Sequence, residues 1–275
     1  MPEARGRTPW RPTPLVAGSV ALHVAGAAAL GLAPHAWPLI CGTLFANHVV
    51  LATHSLWPQS SWIGPALSRL PADAARRGEV ALTFDDGPAP DVTPRVLDLL
   101  DQAGARASFF CIGRRVAAHP EIVREIVRRG HQVENHTWSH PHLFACYGPA
   151  SQRQEVEKAQ EVIADAAGRP PAFFRSPAGF RNLFLDRELS AAGLILAAWT
   201  RRGYDTVESD PAKVAERLLR GLAPGDVLLL HDGSTLRDGG NRVALEALPR
   251  VLDGLASRGM RSVPIGEGDE GGADR

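Results

Sequence analysis

The chain has few cysteines, and this limits what can hold it together. Cys41, Cys111 and Cys146 lie far apart in the 275 residues and lack the paired spacing of a zinc ribbon or a redox motif. A disulfide framework is therefore not expected. The three thiols are interpreted as small buried hydrophobic side chains.

The chain also has no formal net charge at pH 7. Thirty basic residues balance thirty acidic ones, so no electrostatic footprint indicates a nucleic-acid partner, although an anionic substrate is not excluded. The hydrophobic content of 44% is enough for a substantial core. The length allows one sizeable domain with a smaller appendage.

Lysine and arginine are absent from residues 12–68, the most apolar part of the sequence. Two apolar segments, at about residues 15–32 and 38–56, approach the length that crosses a bilayer. Three interpretations are open: a pair of membrane helices, a cleaved secretory signal, or helices that pack on the domain or form a single anchor. The signal is disfavoured because no Ala-x-Ala cleavage site follows Leu32. We expect a membrane-associated protein, of the kind found in a bacterial inner membrane.

Basic residues flank these segments on both sides. They are Arg5, Arg7 and Arg11 before the pair, and Arg69, Arg76 and Arg77 after it. If both segments cross, the positive-inside rule places both chain ends, and with them the large domain, in the cytoplasm. A single crossing reverses that orientation.

From about Glu79 the sequence alternates short apolar runs with amphipathic stretches. Strands are predicted at residues 80–84, 107–112, 132–135, 173–175, 194–199, 227–230 and 262–265. Helices between them are predicted to start at Thr93-Pro94, His119-Pro120 and Asp210-Pro211, and to end at Gly104, Gly130, Gly168, Gly193 and Gly221. The pattern predicts an α/β fold with a parallel sheet, whose catalytic groups follow the carboxyl ends of strands.

Two adjacent aspartates, Asp85 and Asp86, follow the first predicted strand in the run Thr-Phe-Asp-Asp-Gly-Pro. Paired carboxylates are costly to hold together unless a cation or a proton transfer uses them. One could bind a metal while the other accepts a proton, and the residues alone do not say which. A solvated turn is the alternative, because Asp, Gly and Pro are common turn residues.

Two histidines, His136 and His140, follow the third predicted strand. Their spacing would put both imidazoles on one face of a helical turn, close enough to share a metal. Two histidines and one carboxylate leave coordination positions open for water and substrate, as in a catalytic site. Ordinary surface histidines are the alternative, which we prefer for His142.

Arg175 and His231 lie at the ends of two further predicted strands. Arg175, in the run Arg-Ser-Pro-Ala-Gly-Phe, could hold a carboxylate in its ionised form. His231 follows an apolar run, and its ordinary pKa near neutrality suits a general acid. Its ring needs an orienting carboxylate, for which Asp205 is a stronger candidate than Asp232. A surface arginine and a structural histidine are the alternatives.

With these four motifs in order, the sequence resembles the polysaccharide deacetylase family, the carbohydrate esterases of family 4. The family includes chitin, chitooligosaccharide and peptidoglycan N-deacetylases. The matching runs are residues 83–88, 136–140, 175–180 and 228–231, within a resemblance that spans 79–265. It implies an irregular seven-strand (β/α) barrel, here preceded by the apolar helical segment.

The resemblance also implies roles for the site residues. Asp85 would be the general base, oriented by Arg175, and His231 the general acid, with Asp205 as its partner. A divalent metal, commonly zinc, would be bound by three residues: Asp86, His136 and His140.

The sequence departs from the family after Trp199, where an Asp-Trp pair often orients the acid histidine and lines the sugar site. Asp205 fills the first place, but Thr206 stands where the aromatic ring would stack on sugar. This weakens the case for a long polymer. Arg201 and Arg202 in the same loop would suit a phosphate-bearing or otherwise anionic substrate, or are simply solvated.

The predicted domains are an N-terminal region at 1–70 that holds the two apolar helices, a linker at 71–78, a catalytic domain at 79–267 and a polar tail at 268–275. The predicted function is a metal-dependent amidohydrolase that removes an N-acetyl or similar N-acyl group from an amino sugar in an envelope glycan or a lipid-linked precursor. The membrane is contacted through the N-terminal segments, and no nucleic acid is involved. The alternatives are a sugar O-acetyl esterase with the same site and an inactive, membrane-anchored carbohydrate-binding protein.

Overall fold

A computed structural model describes residues 10–233 and 242–266. Arg5, Arg7 and the predicted polar tail at 268–275 lie outside the described residues. The helices are α1 Pro14–Leu32, α2 Trp37–Leu56, α3 Ala72–Arg76, α4 Thr93–Gln102, α5 Gly113–Ala118, α6 Pro120–Arg128, α7 Pro149–Ala167, α8 Leu185–Ala192, α9 Pro211–Leu219 and α10 Arg242–Ala256. The strands are β1 Glu79–Asp85, β2 Ala107–Cys111, β3 Gln132–Asn135, β4 Phe173–Phe174, β5 Ile195–Leu196, β6 Arg201–Arg202, β7 Val227–His231 and β8 Arg261–Ser262.

The strands form one parallel sheet in the order β5-β4-β3-β2-β1-β7-β6, with β8 paired to β1. β5 and β6 lie at opposite edges, yet only residues 197–200 join them, a link that spans at most about 18 Å when extended. The sheet must therefore curl until its edges are near each other. The predicted parallel α/β fold is confirmed. It is a half-barrel with an eighth strand, β6, rather than the predicted seven-strand barrel.

The two faces of the central strands explain where the core and the site lie. In β1, Val80, Leu82 and Phe84 belong to the large apolar cluster beneath the outer helices, while Ala81 belongs to a smaller cluster inside the curled sheet. Because side chains alternate along a strand, Thr83 and Asp85 share the inner face with Ala81. The inner face therefore becomes polar toward the carboxyl end of the strand.

Helix ends follow the sequence rules in most places. Asp210 caps α9 by accepting a hydrogen bond from the Ala212 backbone N–H, at 2.9 Å. The five predicted terminal glycines all have a positive φ: Gly104, Gly130, Gly168, Gly193 and Gly221. Thr93 is an exception, because its hydroxyl accepts from the Ala89 N–H instead of capping α4.

Two of the helices, α1 and α2, form an apolar hairpin, joined by a short turn at Pro34–Ala36. Both are long and apolar enough to cross a membrane, and only 11% and 6% of their apolar windows are buried in the protein. A signal sequence near an N-terminus would pass the same test of length and composition. One polar contact joins the two helices, from Asn47 Nδ2 to Ser19 Oγ at 2.8 Å.

All three cysteines are free, as expected. Cys111 is buried in the core, but Cys41 and Cys146 are exposed. The interpretation of the thiols as buried hydrophobic side chains is therefore right for Cys111 and wrong for the other two.

Candidate active site

Two neighbouring strands end in a chemically active residue on the inner face of the sheet. Asp85 at the end of β1 is in register with His231 at the end of β7. Asp86 follows with a φ of 72°, so the backbone turns sharply and presents the second carboxylate beside the first. The next residue, Gly87, leaves no room for a side chain, because a Cβ there would lie 2.3 Å from Asp232 Oδ2.

Asp86, His136 and His140 lie together in the structure. Asp86 Oδ1 is 3.5 Å from His136 Nε2 and 3.2 Å from His140 Nε2. The predicted reason for this proximity is wrong, because residues 136–140 do not form a helical turn. Thr137 and His140 instead have φ values of 65° and 54°, and this tight loop brings the two rings to a centroid distance of 4.9 Å.

The three side chains fit a divalent metal. One ligand atom from each lies within 4.8 Å of the others. Asp86 Oδ1 is buried without a hydrogen-bond partner, which is costly unless a cation is present. His136 Nδ1 lies 2.7 Å from the Arg175 carbonyl, a contact that orients the ring and leaves Nε2 facing the cluster. An N,N,O donor set with an open side is typical of catalytic zinc sites.

The charge states of the cluster favour metal binding. Burial raises the pKa of Asp86, but the nearby His136 ring, whose Nε2 lies 3.5 Å from Oδ1, and the charges of His231 and His140 outweigh it, so the pKa falls below its ordinary value. Burial, helped by the neighbouring His136, lowers the pKa of His140 to about 4. The carboxylate is thus ionised and His140 neutral near pH 7, as ligands must be.

Arg175 is fully buried and contacts three walls of the site. Its Nη1 donates to Asp85 Oδ1 at 2.6 Å and to Thr83 Oγ1 at 2.8 Å, and its Nη2 donates to the Ala198 carbonyl at 3.1 Å. The guanidinium also lies 3.9 Å from the centroid of the Phe110 ring. Only one oxygen of Asp85 is used, and the other faces His136 Nε2 at 3.9 Å. No role was predicted for Thr83, which is identifiable only as the residue two before Asp85 on the same face of β1.

His231 is paired with Asp205, the stronger of the two predicted candidates. Asp205 accepts from the His231 backbone N–H at 2.8 Å and lies 3.0 Å from its Nδ1. Burial lowers the pKa of His231, but the carboxylate of Asp205 outweighs burial and the pKa rises to about 9. Asp232 does not face the ring in this way, because its carboxylate accepts from Thr93 Oγ1 at 2.5 Å.

A pocket of about 200 Å³ opens over these groups. Besides Asp85, Asp86, His136, His140 and His231, its lining includes Trp199, Arg202, Thr206, Gly179 and His142. Gly179 is required there, since it has a φ of 78° and a Cβ would lie 2.4 Å from the Trp199 ring. His142 is exposed, as predicted, but it also contributes to the pocket rim.

The two arginines of β6 have different surroundings. Arg201 turns away from the pocket, pairing with Asp226 at 3.1 Å and donating to the carbonyls of Arg220 and Gly221. Arg202 faces the pocket. The sequence did not distinguish them, because the strand that puts them on opposite faces was not predicted.

Comparisons with known proteins find relatives in sequence and in fold. A family model described as polysaccharide deacetylase matches residues 72–196. A chitooligosaccharide deacetylase of Bradyrhizobium is 35% identical over 73% of this chain and 94% of its own length. A peptidoglycan-N-acetylglucosamine deacetylase of Bacillus cereus is 34% identical over 68% of this chain and 86% of its length. A family 4 carbohydrate esterase from Streptomyces lividans, solved with acetate, superposes with a TM-score of 0.61 at 34% identity, covering 67% of this chain and 91% of that one.

Proposed function

The chain belongs to the polysaccharide deacetylase family, and from that premise we propose that it removes an N-acetyl or similar N-acyl group from an amino sugar, using a bound metal. The family's enzymes hydrolyse the carbon–nitrogen bond of the acyl amide. The observation that carries the proposal is the buried cluster of Asp86, His136 and His140 beside a second aspartate that has a free oxygen.

The three clustered side chains would hold a divalent metal, with zinc as the expected ion. The chemistry that such a metal supplies is polarisation of the amide carbonyl and a lower pKa of the attacking water. The open side of the cluster faces the pocket, where both water and substrate have access.

Asp85 acts as the general base. Arg175 donates a hydrogen bond to Oδ1 and fixes the carboxylate, so that Oδ2 accepts a proton from the water that attacks the amide carbon. The positive charge of Arg175 is balanced by this single carboxylate, and its further hydrogen bonds go to neutral oxygens. The arrangement holds the base in one orientation before substrate arrives.

His231 acts as the general acid. Asp205 raises its pKa to about 9, so the ring carries a proton at neutral pH. The carbon–nitrogen bond breaks as the imidazolium gives that proton to the departing nitrogen. The products are acetate, or another small acid, and a free amino sugar. Detection of the free amine separates this reaction from ester hydrolysis of a sugar O-acetyl group.

We further propose that α1 and α2 anchor the enzyme in a membrane, because their apolar side chains are left exposed by the other residues that the structure describes. With both helices crossing, the basic residues on either side favour a cytoplasmic catalytic domain. A membrane-bound deacetylase acts on an envelope glycan or on a lipid-linked precursor.

The test is metal content and acetate release of the purified protein on N-acetylated oligosaccharides, for the wild type, His140→Ala and His142→Ala. His140→Ala should lose both metal and acetate release. His142→Ala is the matched control, because this exposed residue lies two positions away and should keep its metal. A folded wild type without metal, or one with stoichiometric metal and no release from any amino sugar, would contradict the proposal.

A further inference from the structure

We infer that Arg202 binds an anionic group next to the acylated nitrogen, and that the substrate is an amino sugar joined through a phosphate to a membrane lipid. The inference rests on the proposed function, which it narrows to one substrate class. It is carried by the unpaired state of Arg202 and by the position of the pocket at the end of α2.

Arg202 differs from the other arginines around it. Arg201 pairs with Asp226, and Arg217 pairs with Glu208 at 2.9 Å. In the part of the chain that the structure describes, Arg202 has no carboxylate partner, and its Nε is buried without a hydrogen bond. A half-buried cation without an anion is costly. The pocket is therefore suited to a negative charge that the described residues do not supply.

Two aromatic rings hold the Arg202 guanidinium in place. Its central carbon lies 5.5 Å from the centroid of the Trp199 ring and 5.0 Å from that of Tyr204. Ring contacts of this kind use the face of the guanidinium and leave its N–H edge available. That edge matches the paired oxygens of a phosphate or a carboxylate.

The size of the pocket restricts where the anion sits on the sugar. Arg202 shares a pocket of about 200 Å³ with His231 and the metal-binding cluster. An anion bound by Arg202 would therefore lie close to the acyl amide, which is on carbon 2 in an N-acetylglucosamine unit such as the one named for the Bacillus cereus relative. Carbon 1 carries phosphate in a glycosyl phosphate, whereas a carboxylate reaches this region only as an acidic ether substituent on carbon 3. Both anions share the chemistry that Arg202 recognises.

The contacts of α2 favour the lipid-linked phosphate. The Arg181 backbone N–H donates to the Ser55 carbonyl in the last turn of α2, at 3.2 Å. Gln59 Nε2 donates to the Trp199 carbonyl at 2.6 Å, so a residue just beyond α2 holds a wall of the pocket. If α2 crosses the bilayer, the pocket lies at the depth of the lipid headgroups, where a lipid-linked phosphate also lies.

Exposed aromatic side chains support this depth. Trp57 and Trp62 follow the end of α2 and are 53% and 59% exposed. Tryptophan is enriched at membrane interfaces because its ring is apolar and its N–H is polar. The two exposed rings therefore fit a site that lies at the membrane surface.

The experiment compares three N-acetylated substrates in the full-length enzyme: a polyprenyl-phosphate-linked acetamido sugar in phosphatidylethanolamine vesicles, a muramyl-containing disaccharide and a neutral chitotetraose. The variants are Arg202→Gln, Arg202→Lys and, as the matched control, Arg217→Gln, which removes an already paired arginine of the same region. Metal content and thermal midpoint establish that each variant is folded and loaded.

Arg202→Gln should lower kcat/KM for the lipid-linked substrate about tenfold to a hundredfold, since a charged hydrogen bond is lost. Arg202→Lys should recover part of that loss, and the loss of kcat/KM on chitotetraose should be smaller than the loss on the lipid-linked substrate. Equal losses on all three substrates, or a loss only on the muramyl disaccharide, would overturn the inference while leaving the deacetylase proposal intact. Metal-loaded wild type that is inactive on every substrate would instead contradict the proposed function itself.

Discussion

The half-barrel and the helical hairpin place their apolar side chains in opposite ways. In the half-barrel, Val80, Leu82 and Phe84 of β1 are fully buried, and polar groups gather at the carboxyl ends of the strands. In the hairpin, Val24 and Phe45 are 67% and 72% exposed. The half-barrel buries its apolar side chains, whereas the apolar side chains of the hairpin are left exposed by the other described residues.

The half-barrel and the hairpin also differ in the kinds of polar groups that they contain. Asp85, Arg175 and His231 are buried in the barrel as paired charges around a pocket, while the hairpin contains neutral groups such as Asn47 and Ser19. Burying a charge is costly unless it is paired, and buried charges that surround a pocket are typical of functional sites. We therefore expect substitutions in the two regions to fail differently: barrel changes in turnover, hairpin changes in membrane insertion.

The largest effect is expected for Asp85→Asn. The amide has the same shape but cannot accept the proton from water, so turnover should fall by about a hundredfold to ten-thousandfold. Because Asp85 lies outside the metal-binding cluster, metal content should remain that of the wild type. Steady-state kinetics and metal analysis on the same preparation check both parts. Turnover that survives with normal metal would mean that another group is the base.

A smaller effect is expected for Phe45→Arg in α2. If the hairpin lies in a bilayer, a charge at the middle of the helix costs about 2.5 to 3.5 kcal/mol, and the membrane-bound fraction should fall. Leu143→Arg is the matched control, because Leu143 is 69% exposed on the catalytic domain and should tolerate the charge. Equal behaviour of the two variants in membrane fractionation would mean that the hairpin is not in lipid, and would remove the contrast between the two regions.

The half-barrel was predicted well from the sequence, because its central strands are marked by apolar runs. Largely apolar runs end at Asp85 and His231, and parallel strands bring such ends together. The sequence missed β6, because Arg201 and Arg202 carry no apolar signal. It consequently could not show that one of these arginines pairs with Asp226 while the other faces the pocket.

The histidine cluster shows a different limit. His136 and His140 do lie together, but the expected helical turn is absent. The loop is instead held by side-chain contacts, such as that from the Thr137 N–H to Asn135 Oδ1 at 2.9 Å. Spacing along the chain gave the right neighbours here, and only tertiary contacts account for the backbone that brings them together.

Within the barrel, Asp205→Asn should change the pH dependence of turnover. Asp205 raises the pKa of His231 to about 9, and the general acid works only while protonated, so activity should decline as pH rises through that value. Without the carboxylate, burial lowers the pKa of the ring, and the alkaline limb of the kcat profile should move toward neutrality. A profile that keeps its alkaline limb in the variant would exclude His231 as the titrating group.

The smallest effect is expected at Glu134, a buried carboxyl outside the pocket. Burial raises its pKa to about 7, although the backbone N–H groups of Phe173 and Ala172 each donate to it at 2.8 Å. A raised acid pKa stabilises the fold below the ordinary value of 4.5, and this contribution is lost as pH rises through 7.

Glu134→Gln cannot ionise and keeps an oxygen for both N–H groups. The thermal midpoint of the variant should therefore gain on that of the wild type by a few degrees between pH 5 and pH 8. Glu157→Gln, at an exposed position of α7, should show no such gain. An equal response in both variants would mean that burial of the Glu134 carboxyl does not destabilise the folded half-barrel. The pairing of charges seen around Asp85 would then not be a requirement of burial.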